Sequence, residues 1–305
     1  MNSILSRLDG TAPALAAGWR GTLGDYYELT KPRIIVLLLI TTLAAMLMAA
    51  HGFPPLGLVI ATLVGGAFAA GSAGAFNCII DRDIDRLMTR TARRPLAVGR
   101  IAPAHAFAFA TLLGLSSFAI LYSFANPLTA WLSLAGNLYY VLIYTLWLKR
   151  STTLNIVIGG AAGAVPPLVG WAAVTGGLGG PALGLFAVIF LWTPPHFWSL
   201  ALMTETDYHR ANIPMLPNVR GVERTKLEIF IYTLVLVAAS LALTPLGIMG
   251  LWYFVPAAIL GGAFLYYTWN LLRGTTKPWA RATFKYSLLY LALMCVAMVV
   301  DRIVG

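Results

Sequence analysis

Charge is scarce in this chain of 305 residues. Asp, Glu, Lys and Arg together make up 10%, against 59% hydrophobic residues. A water-soluble domain averages about 25% charged residues, so composition excludes an ordinary soluble enzyme and points to a bilayer. Mean hydropathy is +0.79. Cysteine is nearly absent as well. Cys78 and Cys295 both fall in apolar segments, which leaves no zinc-ligand spacing and no disulfide framework. Acid is the scarcer sign: 11 Asp and Glu against 21 Lys and Arg, for a net charge of +10. A balance of that sign can mark nucleic-acid binding, but the placement of the cations excludes it.

A membrane-length window gives nine spans, near 34–50, 56–80, 105–123, 128–148, 152–175, 182–203, 227–246, 251–272 and 283–303. The connecting segments alternate in character. His51–Pro55, Phe124–Pro127, Gly176–Pro181 and Pro245–Gly250 carry no Lys or Arg. The basic residues gather in the N-terminal arm and after spans two, four, six and eight, which accounts for 20 of the 21 and leaves only Arg302 at the other end. The positive-inside rule then places the N-terminus in the cytoplasm and the C-terminus outside. All acids except Asp301 fall on the basic side as well. A transporter of polar solutes needs polar groups near the midplane, and here the outer half of the bundle is almost bare of them.

Residues 1–30 read as a cytoplasmic arm, with Ala12–Trp19 a weak interfacial segment. The arm has no apolar core of signal-peptide length before Tyr26. Residues 31–305 read as a single membrane domain of a bacterial inner-membrane protein: all-α, nine transmembrane helices in a bundle, with a central cavity open to the cytoplasmic side. A faint repeat supports two halves around a shared pocket, because span two runs into Asn77–Asp85 and span six, four spans later, into His196–Asp207.

Asn77, Asp81 and Asp85 form N-x-x-x-D-x-x-x-D at the inner end of span two. Positions four apart share one helix face, so the three side chains make one ladder of oxygen ligands. Carboxylates at membrane depth are costly and functional by default. Two carboxylates and an amide carbonyl suit Mg²⁺ and leave room for substrate phosphates. Asp83 falls between the two aspartates and should point elsewhere. Arg90, Arg93, Arg94 and Arg100 follow. Metal ligands followed by cations suggest a diphosphate site.

A second constellation is T-P-P-H-F-W at 193–198, then E-T-D-Y-H-R-A-N-I-P-M-L-P at 205–217. Pro194 and Pro195 are expected to break or kink the helix. His196 then reads either as an interhelical hydrogen bond or as an acceptor contact, with His209 in reserve. Lys31 and Arg33 open span one, and Lys149 and Arg150 close span four; each is either a membrane anchor or an anion contact. Asn155 suits a helix–helix hydrogen bond, and Gly159, Gly160 and Gly163 suit close packing. Tyr139, Tyr140, Tyr144 and Trp147 resemble an interfacial belt.

Asn77–Arg86 with M-x-R-T-x-x-R-P-L after it resembles the first signature of the UbiA-type intramembrane prenyltransferases. Y-T-x-x-L-K-R at Tyr144–Arg150, N-I-V-I-G-G at Asn155–Gly160 and D-Y-x-x-A-x-x-P-M-L-P at Asp207–Pro217 resemble the branch of that family that acts on heme. The likeness runs from Lys31 to the last span. It implies farnesyl diphosphate as donor, heme B as acceptor and Mg²⁺ as cofactor. It further implies Asn77, Asp81 and Asp85 as metal ligands, and Arg90, Arg94, Lys149 and Asp207 as further catalytic groups. Lys31, Arg33, Arg150, Asn155, His196, Tyr208, His209 and Arg210 would contact substrates. The lipid bilayer would supply the surroundings, and heme A synthase or an oxidase-assembly protein would be the partner. One departure stands out: many members carry a second D-x-x-x-D, whereas the position four after Asp207 is Ala211. The competing readings are a prenyltransferase with a quinone or chlorophyll-type acceptor and a transporter of an anionic solute.

Overall fold

The computed structural model describes residues 19–305, and all regular structure within them is helical. The expectations for the arm before Trp19, including most of its interfacial segment, lie outside the described residues. A short helix α1 (Trp19–Leu29) precedes α2 (Pro32–Ala50) and α3 (Leu56–Ile80), and α3 leads into α4 (Arg82–Leu87). Next come α5 (Pro103–Phe124) and α6 (Pro127–Leu138). The latter continues as a π-helical segment, Tyr139–Leu148, and a last turn, α7 (Lys149–Ser151). Then follow α8 (Asn155–Thr175), α9 (Gly180–Met203), α10 (Glu205–Arg210), α11 (Leu216–Arg220), α12 (Val222–Ala242), α13 (Leu251–Arg273) and α14 (Thr276–Val304).

Nine helices among the described residues are long and apolar enough to cross a membrane, and the span from Pro127 to Ser151 counts as one of them. The sequence-based spans agree with these to within about three residues except at two starts and at the end of the seventh, which stops at Ala242 rather than 246. Helix α12 begins at Val222 and α14 at Thr276, because both carry a polar first turn that the apolar window discards. Large apolar side chains on the outer faces are left uncovered, Leu115, Phe124 and Leu251 among them. In water such a surface would be an association liability, whereas lipid tails solvate it.

Helix pairs α3–α5, α13–α14, α2–α8 and α8–α9 pack most extensively. Small residues allow the approach: a Cβ at Gly170 of α8 would lie 2.2 Å from the Thr42 carbonyl oxygen of α2. Several buried hydroxyls satisfy themselves inside their own helices, as Thr233 does on the Ile229 carbonyl (2.7 Å), whereas the hydroxyls of Thr62 and Ser72 are buried without a hydrogen-bond partner.

Two expectations about helix continuity change. Pro194 and Pro195 do not break α9, which runs through them. The two prolines deprive the carbonyls of Phe190 and Leu191 of their intrahelical N–H donors, and the hydroxyls of Thr193 and Ser199 donate to the neighbouring carbonyls of Ile189 (2.8 Å) and Pro195 (2.6 Å). The ladder helix, by contrast, is interrupted: α3 ends at Ile80, and Asp81 sits at φ −88°, ψ 9° before α4 begins. The repeat has a structural echo, since α3 and α9 each run into a short helix of six residues carrying an acid, α4 and α10.

Candidate functional site

The basic segments meet at one end of the bundle. Although Asp81 interrupts the helix, its N–H donates to the Asn77 carbonyl (2.9 Å) and the Asp85 N–H donates to the Asp81 carbonyl (2.7 Å). The four-residue spacing therefore survives the junction. Asn77, Asp81 and Asp85 are all buried, while Asp83 is exposed and pairs with Arg150 (2.8 Å). The Arg150 hydrogen bond holds the Asp83 carboxyl below its ordinary value.

Each rung is held by side chains from a different element. Asn77 donates to Asp81 Oδ2 (2.8 Å) and to Thr145 Oγ1 (3.0 Å) on the π-helical segment. Its amide oxygen accepts from Lys31 Nζ. Lys149 Nζ lies 2.5 Å from Asp81 Oδ2, and Arg150 reaches within 3.8 Å of Asp81 Oδ1. Arg94 Nη1 donates to both oxygens of Asp85 (2.9 and 2.8 Å). The site is thus two buried carboxylates and an amide ringed by ammonium and guanidinium groups.

Lys31 is built unusually. It is left-handed at φ 58°, ψ 57° although it precedes Pro32. A residue before proline prefers extended backbone, and such conformations cost of order 1–3 kcal/mol and cluster at functional sites. Burial, its largest influence, pulls the Lys31 ammonium below the usual lysine value.

Among the described residues no group of three or more His, Cys, Asp or Glu gathers as a metal cluster; the ladder offers two carboxylates and an amide. Asp81 Oδ1, however, is buried without a hydrogen-bond partner. A buried unsatisfied carboxylate oxygen is costly, and a divalent cation would relieve it. The residues fit an oxygen-ligated metal.

The second acidic segment does something else. Asp207 Oδ1 accepts from Thr89 N (3.2 Å) and Thr89 Oγ1 (2.8 Å), and Oδ2 accepts from Arg90 N (3.4 Å). Burial works to raise its pKa, but these hydrogen bonds and nearby Arg210 leave it lowered. Ala211, where a second aspartate would stand, is buried among Ile84, Met88, Ile213 and Met215.

The remaining expected residues divide. Arg90, His209 and Arg210 are exposed, and Tyr208 is half-buried. Glu205, Thr206, His209 and Arg210 line an open groove of about 420 Å³. Arg33 is exposed and makes none of the ladder's contacts. Asn155 is fully buried; its amide nitrogen donates to the Thr152 carbonyl (2.6 Å), and its Oδ1 has no partner. His196 Nδ1 lies 2.7 Å from Ser287 Oγ, and its ring stacks between Trp192 and Phe284. That is the geometry of the interhelical hydrogen bond rather than of a free acceptor contact.

Thr89 and Thr145 escaped the sequence reading. The Thr145 hydroxyl donates five residues back to the Tyr140 carbonyl (2.9 Å), a register no four-residue pattern reveals. Tyr144, read as part of a belt, lies over Gly159, where a Cβ would meet its ring at 2.3 Å.

Apolar spans closing over carboxylates ringed by cations define, together with the fold, an intramembrane prenyltransferase. Residues 38–292 match the UbiA prenyltransferase family, and the chain belongs to that family. A protoheme IX farnesyltransferase from Gloeobacter violaceus is 55% identical over 302 residues, covering 99% of this chain and 98% of the relative. One of the same name from Synechocystis is 53% identical over 281 residues, covering 92% of this chain and 89% of the relative. A third, from Roseiflexus castenholzii, is longer: at 53% identity the chain spans 55% of its length and 96% of this chain is covered. Among solved structures, a digeranylgeranylglyceryl phosphate synthase aligns with a TM-score of 0.76 at 20% identity, over 93% of this chain and 99% of that one. A UbiA homolog from Archaeoglobus fulgidus bound to DMAPP and Mg²⁺ aligns at 0.68 and 17%, over 90% and 99%. At these identities the structures speak for the fold alone.

Proposed function

We propose that the protein transfers the farnesyl group of farnesyl diphosphate to a vinyl group of heme B, giving heme O. The observation that carries the chemistry is the orphaned, buried Asp81 oxygen inside a ring of cations. The acceptor rests on relatives named protoheme IX farnesyltransferase, matched over nearly the whole chain.

Asn77, Asp81 and Asp85 would hold Mg²⁺. When bound, the metal would neutralise diphosphate oxygens as negative charge builds on the leaving group. Everything else falls to the chain's own groups. Lys149, Arg94, Arg150 and Lys31 neutralise the ladder and stand ready to turn toward phosphate oxygens. Arg90, exposed beside them, has no competing carboxylate side chain among the described residues to leave. Fixed cations stabilise developing charge better than water, because they need no reorganisation at the moment of reaction. As the bond from the allylic carbon to the diphosphate oxygen breaks and diphosphate leaves, that carbon bonds to the terminal vinyl carbon, and water adds to the neighbouring carbon with loss of a proton, completing the hydroxyethylfarnesyl group. The apolar interior takes the isoprenoid tail.

His209 and Arg210 offer the acceptor's carboxylates a basic rim at the open groove, and Tyr208 precedes them in α10 as a further polar contact. Asn155, with its unpartnered buried oxygen, is a candidate to contact a polar substrate group. His196 stays in play only through the edge of its ring away from Ser287. In this reading residues 31–305 are one prenyltransferase domain in a bacterial inner membrane. Its basic end and cavity mouth would be cytoplasmic, and heme A synthase or an oxidase-assembly protein would receive the product.

The test is prenyl transfer by the purified protein with farnesyl diphosphate and Mg²⁺, offered heme B or a quinone precursor. Heme O as the product is expected. Turnover of the quinone precursor with none of heme B would replace the acceptor, and turnover of neither would reopen the transporter reading.

A further inference from the structure

The loop between α4 and α5 carries Arg90, Arg93, Arg94 and Arg100, and three carboxylates tether it. Asp25 of α1 takes Arg100 (3.0 Å to each oxygen). Asp85 takes Arg94, and the Thr91 hydroxyl donates to the Asp85 carbonyl (3.1 Å). The third tether comes from the other half of the chain: Asp207 of α10, 118 residues away in sequence from Thr89. Both its oxygens are spent on the loop, on Thr89 N, Thr89 Oγ1 and Arg90 N. Arg210, one turn on, donates to the same Thr89 hydroxyl (3.2 Å). Beneath these contacts lies an apolar seam of Ile84, Met88, Ala211, Ile213 and Met215. An aspartate at 211 would put a carboxylate into that seam, so Asp207 stands without a ladder partner.

We infer that Thr89 is a positioning residue, and that the Asp207–Thr89 contact is a clamp holding Arg90 and Arg94 over the carboxylate ladder. Donor capture thereby depends on the position of α10. Asp207 acts through the loop backbone and not as a metal ligand. The inference deepens the proposed function, resting on the reading of this end as the donor site.

An ionised carboxylate accepts strongly, and bonds to charged groups exceed neutral ones. Asp207 commits three acceptor positions to two backbone N–H groups and a hydroxyl, with Arg210 4.0 Å from Oδ1, so its carboxylate is already engaged on the loop and on its own helix. Thr89 is exposed, so without the clamp its loop would face water with nothing from α10 to order it. Loss of order at Arg90 and Arg94 would be felt on the donor, whose charge they meet.

The experiment uses the full chain in lipid nanodiscs, with Thr89→Val, Thr89→Ser and Asp207→Asn. Amide hydrogen exchange over residues 89–94 reads loop order without turnover. Calorimetry with inorganic diphosphate and Mg²⁺ reads donor-site affinity and metal demand. Thr89→Val is expected to speed exchange at Thr89 and Arg90 about tenfold, by the loss of one hydrogen bond to a charged group. Its KM for farnesyl diphosphate should rise severalfold, more than kcat falls, with the Mg²⁺ midpoint unmoved. Thr89→Ser, which keeps the hydroxyl, should restore both, and Asp207→Asn should resemble Thr89→Val. Unchanged exchange and diphosphate affinity in Thr89→Val would overturn the clamp. A tenfold shift of the Mg²⁺ midpoint in Asp207→Asn alone would overturn it too, by making Asp207 a metal ligand. If the exchange and diphosphate effects appear while wild-type protein fails to prenylate heme B, the clamp stands and the acceptor assignment falls.

Discussion

At one end of the bundle Asp81 lies fully buried, touched by side-chain amide and cations and with one oxygen unpaired. At the other end Asp301 is also buried, but its oxygens accept backbone N–H groups, from Gly250 (2.7 Å) and Tyr253 (3.0 Å) at the start of α13. Beside it His51 Nδ1 lies 2.9 Å from the Arg302 carbonyl and His51 Nε2 accepts from Arg302 Nη2 (2.9 Å), tying α2 to α14. The same residue type, equally buried, does opposite jobs. Backbone donors cannot leave, so Asp301 is a fixed helix cap. Lysine and arginine heads can swing away, so Asp81 can exchange its partners for a metal and a diphosphate. Asp207 falls on the Asp301 side of this division, held by main-chain N–H groups and a hydroxyl.

The comparison is broken most severely at the ladder. Asp81→Ala or Asp85→Ala is expected to cut prenyl transfer by roughly 10³-fold or more, the upper scale for losing a preorganised electrostatic group. The protein should still insert, and its thermal unfolding in detergent should show this. Asp301→Ala should do the reverse. Stability falls by about 1–3 kcal/mol, because the buried Tyr253 N–H and the Gly250 N–H lose a charged acceptor, while turnover per folded molecule is kept.

Smaller effects follow from the cations. Arg94→Ala and Lys149→Ala should raise the KM for farnesyl diphosphate roughly tenfold, in line with one charged contact, and leave heme affinity unchanged. Equal losses toward donor and acceptor would assign them to the scaffold. The smallest functional effect is expected at His196. His196→Ala should lower stability by about 2 kcal/mol through the lost Ser287 bond and ring stacking, with the spectrum of bound heme unaltered. A spectral change would return His196 to the acceptor.

The ladder was legible because a four-residue spacing is a geometric statement, and it survives even the helix junction at Asp81. The nine spans were legible because lipid tolerates little else than apolar helix, and the cations marked the ends. What stayed hidden depends on register or on distant backbone. Thr145 reaches Asn77 from a π-helical segment. Thr89 meets Asp207 mainly through main-chain and hydroxyl donors across 118 positions. Pro194 and Pro195 look like a break in sequence, yet α9 runs through them. Lys31 read from sequence either as a membrane anchor or as an anion contact, and its left-handed backbone and its contact with Asn77 set it apart from an anchor.

The most direct test of the division between exchangeable and fixed carboxylates is calorimetry of Mg²⁺ and inorganic diphosphate binding to the wild type, Asp81→Asn and Asp301→Asn in nanodiscs. Binding is expected in the wild type and in Asp301→Asn and lost in Asp81→Asn, with all three folded by thermal unfolding. Wild-type affinity in Asp81→Asn would contradict the assignment of the ladder as the donor's metal site.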